Sequence, residues 1–170
     1  HVDFEAQEKP IEDGGDRLFA LSCVHEGSAE IGRRLFERRY LDAARAHVRE
    51  QSDGARAMVK VLAEAPAFLY VPTLLEYQTG PAFVRRAVGG DYVGGRARLY
   101  ADPPVSQEQV LHPGRYLARR RDLPRRIDLA GAAPAVASAL GDGWKAGKAL
   151  PAGELDLALW LDRWLGGGDG

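Results

Sequence analysis

Apolar residues recur along this chain at helical rather than strand spacing. Between Arg17 and about Glu50, Leu21, Val24, Ser28, Ile31 and Leu35 follow one another at intervals of four and three, with arginines and glutamates between them. That period lines one face of an α-helix. Asp13-Gly14-Gly15-Asp16 precedes it as loop sequence whose last aspartate is suited to N-capping, and Gly32 is a candidate break. After the turn residues Ser52-Asp53-Gly54, a second helix over 55–65 turns Met58, Val59 and Leu62 inward. Two short helices, 73–79 and 82–88, are expected on either side of Gly80-Pro81, and Gly89-Gly90 closes the second.

Asp91 caps a further short helix running to Tyr100, and Pro103-Pro104 then forces extended backbone. Ser106 to Gln109 has capping-box spacing for one or two helical turns, limited by Pro113. Residues 125–129 and 143–150 alternate weakly and are read as short strands, whereas 130–139 carries little signal. The final helix, 154–165, holds Leu155, Leu157, Leu159, Trp160, Leu161, Trp164 and Leu165, more apolar surface than one core-facing stripe uses. It is therefore expected to belong to the core or to an interface. The fold class that follows is mainly α: one multi-helix globular domain over 1–170, with at most a few short strands.

Composition sharpens this picture in three places. A 45% hydrophobic fraction in 170 residues is enough for one core. The net charge of −1 excludes a strongly basic nucleic-acid binder, and the longest apolar stretch, 65–75, is too short and too proline-rich to span a membrane. Charge is locally uneven, however: Arg115, Arg119, Arg120, Arg121, Arg125 and Arg126 face the single acid Asp122. Guanidinium groups in that density suit phosphate or carboxylate recognition, and equally a solvated loop paired with the domain's own acids.

Candidate chemistry concentrates at Cys23-Val24-His25-Glu26-Gly27-Ser28-Ala29. Neighbouring helical residues diverge by about 100°, so His25 and Glu26 do not converge on one ion and Cys23 and His25 do not form a nucleophile pair. Cys23, the single cysteine, reads as a buried inert thiol. Glu26 lies opposite the apolar stripe, which makes a solvated glutamate the plain reading, while its spacing to Glu30 leaves a two-carboxylate cation contact open. His112, between a short helix and the arginine run, is either structural or an acid or anion contact.

Four stretches in order resemble a group of bacterial zinc-metallopeptidase-like proteins in which H-E-x-x-H is followed at a distance by a glutamate within E-G-x-A. They are Glu26-Gly27-Ser28-Ala29, the segment Tyr77 to Val84, the segment Pro103 to Pro113, and Gly143-Trp144-Lys145 with Gly153-Glu154-Leu155. The resemblance implies a peptide hydrolase whose zinc is held by the two histidines and the downstream glutamate, here Glu26, with His112 and Tyr77 as catalytic groups near the cleft. No H-E-x-x-H occurs in the 170 residues, and His1-Val2-Asp3-Phe4 resembles the sequence that follows such a helix. The expectation is therefore a piece of a longer chain, inert by itself, with zinc belonging to the complete parent. Relatives of this kind are often extracytoplasmic. The rival reading is a noncatalytic helical module that meets a protein partner through its Trp160/Trp164 helix and an anionic partner through the arginine run.

Overall fold

The computed structural model describes residues 15–40, 60–61, 66–125, 127–128, 130–147 and 151–165, with the side chains of 67–69 and 163–165 also outside the description. Seven helices have bounds among the described residues: α1 (Asp16–Arg39), α2 (Ala67–Val88), α3 (Tyr92–Ala101), α4 (Gln107–Leu111), α5 (Pro113–Leu117), α6 (Ala132–Leu140) and α7 (Glu154–Leu165). No strand occurs among the described residues, so the mainly α expectation holds. The strand expected at 143–150 is irregular where described, over 143–147, and 125–129 is likewise irregular at its described positions. The expected helix at 55–65 lies almost wholly outside the described residues.

The long helices α1 and α2 form the most extensive pairing, and the shorter elements are packed around them. Phe19, Ala20, Cys23, Val24 and Ile31 of α1 share one core with Phe83, Val84 and Val88 of α2, Leu99 of α3, Val110 of α4, Tyr116 of α5 and Leu155 of α7. Each large apolar side chain fully withdrawn from water there contributes about 1.5–3 kcal/mol. Leu35, counted in the apolar stripe of the sequence, is half-exposed because α1 extends beyond this core.

Two expected breaks are absent. α1 runs through Gly32, and α2 runs through Gly80-Pro81 as one helix. Pro81 removes one backbone donor and would ordinarily bend or end a helix. Here Gly80 and Pro81 are both buried against α1, and that packing holds the two halves in line. The start of α1 also differs from expectation. Gly15, at φ 74°, is the N-cap, and Asp16 sits inside the first turn with its carboxylate accepting the Gln107 amide instead of capping its own helix.

Other local readings stand. Asp91 caps α3 by accepting from the Gly94 amide at 2.9 Å. Ser106 caps α4 by accepting from the Gln109 amide at 3.3 Å, but the return bond of the box is shifted: Gln109 Oε1 accepts from Val105 N at 3.0 Å. The same Gln109 donates through Nε2 to the Asp122 carbonyl at 2.6 Å, clasping the arginine-bearing loop to α4. Among the described residues, no helix is long and apolar enough to cross a membrane.

Candidate functional site

The closest approach of α1 to α2 is made by two glycines. A methyl group on Gly27 would lie 2.5 Å from the Gly80 carbonyl oxygen, and one on Gly80 would lie 2.5 Å from the Cys23 carbonyl oxygen. Only residues without Cβ allow this contact, which brings the helix backbones together at one point. The residues flanking it are therefore driven against the opposite helix.

Glu26, beside Gly27, meets Glu76 and Tyr77 of α2 in this way. The Tyr77 phenol lies beside the Glu26 carboxylate; burial first, then the influence of Glu26 and the charge of Glu76, hold the phenol above its ordinary range. The Glu76 carboxyl is pushed up from 4.5 to about 7, mainly by burial and further by the negative charge of Glu26. Cys23, one turn before Gly27, is buried, and its thiol is held well above the ordinary range by burial and by Glu76. It is the inert thiol expected. The arrangement is a half-buried group of two carboxyl groups and a phenol, with one carboxyl able to keep its proton near neutral pH.

Glu26 was expected opposite the apolar face. The stripe from Leu21 to Ile31 does face inward, but α1 buries a second arc through Phe19, Ala20, Cys23 and Gly27, against which α2 packs. Three residues advance a helix by about 300°, so Glu26 lies only about 60° round from Cys23, at the edge of that second arc. Glu30, its expected companion at one turn, points elsewhere and pairs with Arg33 and with Arg34 at 2.7 Å. The hydrogen bond from Arg33, with Arg34 adding to it, keeps the Glu30 carboxyl at about 2.

His25 leaves α1 in another direction and stacks on Tyr100 of α3, ring centroids 5.7 Å apart. His112 is not part of the Glu26 group's contacts. Its Nε2 lies 2.9 Å from Glu154 of α7, and both residues line a cavity of about 530 Å³ with Asp16, Arg115 and Leu157. Glu76 is the residue that sequence reasoning missed. One signal was available: Glu76 and Gly80 are one helical turn apart, as are Cys23 and Gly27, so a glycine-mediated crossing would bring that face of α2 to α1.

As a metal site the described residues are incomplete. No group of three or more histidine, cysteine, aspartate or glutamate side chains converges among them, whereas a hydrolytic zinc site needs three protein donors. Glu26 fits the part of one such donor: it is half-buried and stands beside Tyr77 and a second carboxyl group. No family model matches the chain, and no curated protein or solved structure does.

Proposed function

We propose that this chain is the part of a zinc-metallopeptidase-like hydrolase that supplies the downstream carboxylate ligand, Glu26, and a phenol beside it, Tyr77. One observation carries the reading. Two segments that resemble the same peptidase group, Glu26-Gly27 and Tyr77 to Val84, are 50 residues apart yet meet at the glycine crossing of α1 and α2, with Tyr77 beside Glu26. Tyr77 would offer its one hydroxyl proton to an oxygen bearing developing charge, and Glu76 would lend its retained proton to the same oxygen. The two remaining zinc donors would come from an H-E-x-x-H helix, which the 170 residues do not contain. The chain alone is expected to cleave no peptide. His112, held by Glu154, belongs in this reading to the wall of a neighbouring cavity, where it contacts substrate or partner.

Zinc content after dialysis tests the proposal, measured on this chain, on a chain extended before His1 to include an H-E-x-x-H helix, and on the Glu26→Ala form of the extended chain. One zinc per extended chain, lost in the Glu26→Ala form, supports it. Zinc in neither, or zinc unaffected by Glu26→Ala, rejects it. A second reading, a helical interaction module, is favoured by α7, where Leu157, Trp160 and Leu161 are all at least half-exposed. Rejection of the zinc site would leave that reading standing.

A further inference from the structure

Part of the arginine run forms a cavity wall. A cavity of about 520 Å³ opens between α3, α5 and the segment after α5, within the size range of small-molecule sites. Its surface is mixed: Ala87, Leu99, Leu117, Ala118 and the buried Tyr116 supply apolar lining beside the polar residues. Three guanidinium groups line it, from Arg98, Arg119 and Arg121, against a single carboxylate, Asp102.

The three arginines differ in what already occupies them. Arg121 lies over the Tyr116 ring, 4.3 Å from its centroid, and donates to Asp102 at 2.7 Å, so its plane is fixed. Arg98 has one loose carboxylate neighbour, Asp91, at 3.6 Å on the exposed rim. Arg119 pairs with no carboxylate among the described residues. By contrast Arg115, the first arginine of the run, is held by Glu108 at 2.8 Å and by Asp122, and it lines a different cavity. Two positive charges at this cavity are thus uncompensated or nearly so, beside an apolar wall and an ordered cation–π pair.

We propose that this cavity binds a small organic oxyanion, a carboxylate or phosphate group carried on an apolar body, with Arg98 and Arg119 gripping the anion and the Leu99 and Leu117 side lodging the body. Guanidinium groups match both oxyanions in bidentate geometry. The site is separate from the Glu26 group: Ala87 and Tyr77 are about ten residues, hence about 15 Å, apart along α2. It stands or falls independently of the zinc proposal.

The test is amide chemical-shift titration of the 170-residue chain at low salt with 4-phenylbutyrate, phenyl phosphate and inorganic phosphate. Saturable shifts at Gly95, Leu99 and Ala118 are expected with the two aryl anions. Affinity should fall about tenfold in Arg98→Gln and in Arg119→Gln, the loss of one charge-assisted contact, but not in Arg120→Gln, which does not line the cavity. Tighter phenylbutyrate would assign a carboxylate ligand, and tighter phenyl phosphate a phosphate ester. No saturation with either, inorganic phosphate binding as tightly as phenyl phosphate, or parental affinity retained in Arg98→Gln and Arg119→Gln would overturn the proposal.

Discussion

Gly27 and Gly32 lie five residues apart in the same helix but differ in role. Any side chain on Gly27 collides with backbone, which cannot give way as a flexible side chain would, whereas a methyl group on Gly32 meets nothing within 4 Å. Gly27→Ala should therefore destabilise the fold by about 2–3 kcal/mol, the range of overpacking a tight contact. Gly32→Ala should stabilise it by about 0.5–1 kcal/mol through helix propensity. Urea unfolding of both variants checks this, and equal effects would mean that the helix crossing is not close. Glu76 gives the second residue-scale prediction, for the metal-free chain. Its carboxyl titrates near 4.5 when the chain is unfolded and near 7 when folded. Between those values the folded state holds the extra proton, so stability falls as pH rises through the window and then levels off. Glu76→Gln removes that penalty. The variant should match the parent below about pH 4.5 and exceed it increasingly up to about pH 7, read as the difference in thermal midpoint across the range.

At the scale of elements, α7 is held by Leu155 in the core and by one polar side chain of α4. Gln107 of α4 is 2% exposed; its Oε1 accepts from the Leu155 amide at 2.7 Å and its Nε2 donates to Asp156 at 3.0 Å, while Asp156 also accepts from Gly153 N at 2.8 Å. The Gln107 amide in turn donates to Asp16, so α1, α4 and α7 share one network. Gln107→Ala would leave the buried Leu155 amide without its acceptor and open a void, at a cost of about 2–4 kcal/mol. Hydrogen exchange should show the loss first in the α7 amides, with α1 and α2 still protected, because their own core of Phe19, Val24, Phe83 and Val84 does not pass through Gln107. Uniform loss of protection would mean that the α1–α2 pairing itself depends on the Gln107 network. The Pro103 to Pro113 segment owes its spacing to this architecture: Ser106 caps α4, Gln109 clasps the loop to Asp122, and Pro113 opens α5 directly after His112.

For the molecule as a whole, the contrast lies between a well-filled α1–α2 core and an apolar surface on the C-terminal elements. No residue of α6 is buried, Val136 and Leu140 are more than half-exposed, and Trp160 on α7 is 67% exposed. With a net charge of only −1, little long-range repulsion keeps such surfaces apart. Replacing Trp160 and Leu161 with glutamine should raise solubility at neutral pH and leave the thermal midpoint nearly unchanged. A lowered midpoint would place these side chains in the structural core instead.

Much of this protein follows from local rules that act on the chain alone. The helical class, the caps at Asp91 and Ser106, the stop at Gly89 and the final helix from Glu154 all arise from contacts a few residues apart, which side-chain type and spacing dictate directly. Cys23 was legible as buried for the same reason. What a second helix would do to the first was not. The continuity of α2 through Gly80-Pro81 and the inward turn of Glu26 both depend on α1 and α2 touching at Gly27 and Gly80, a contact between residues 53 positions apart. Helical periodicity names the faces of one helix, but it cannot say which faces a neighbour covers. Tertiary packing decided that, and with it placed Glu76 and Tyr77 beside Glu26 and left Arg98 and Arg119, rather than Arg115, lining a cavity without a firm partner.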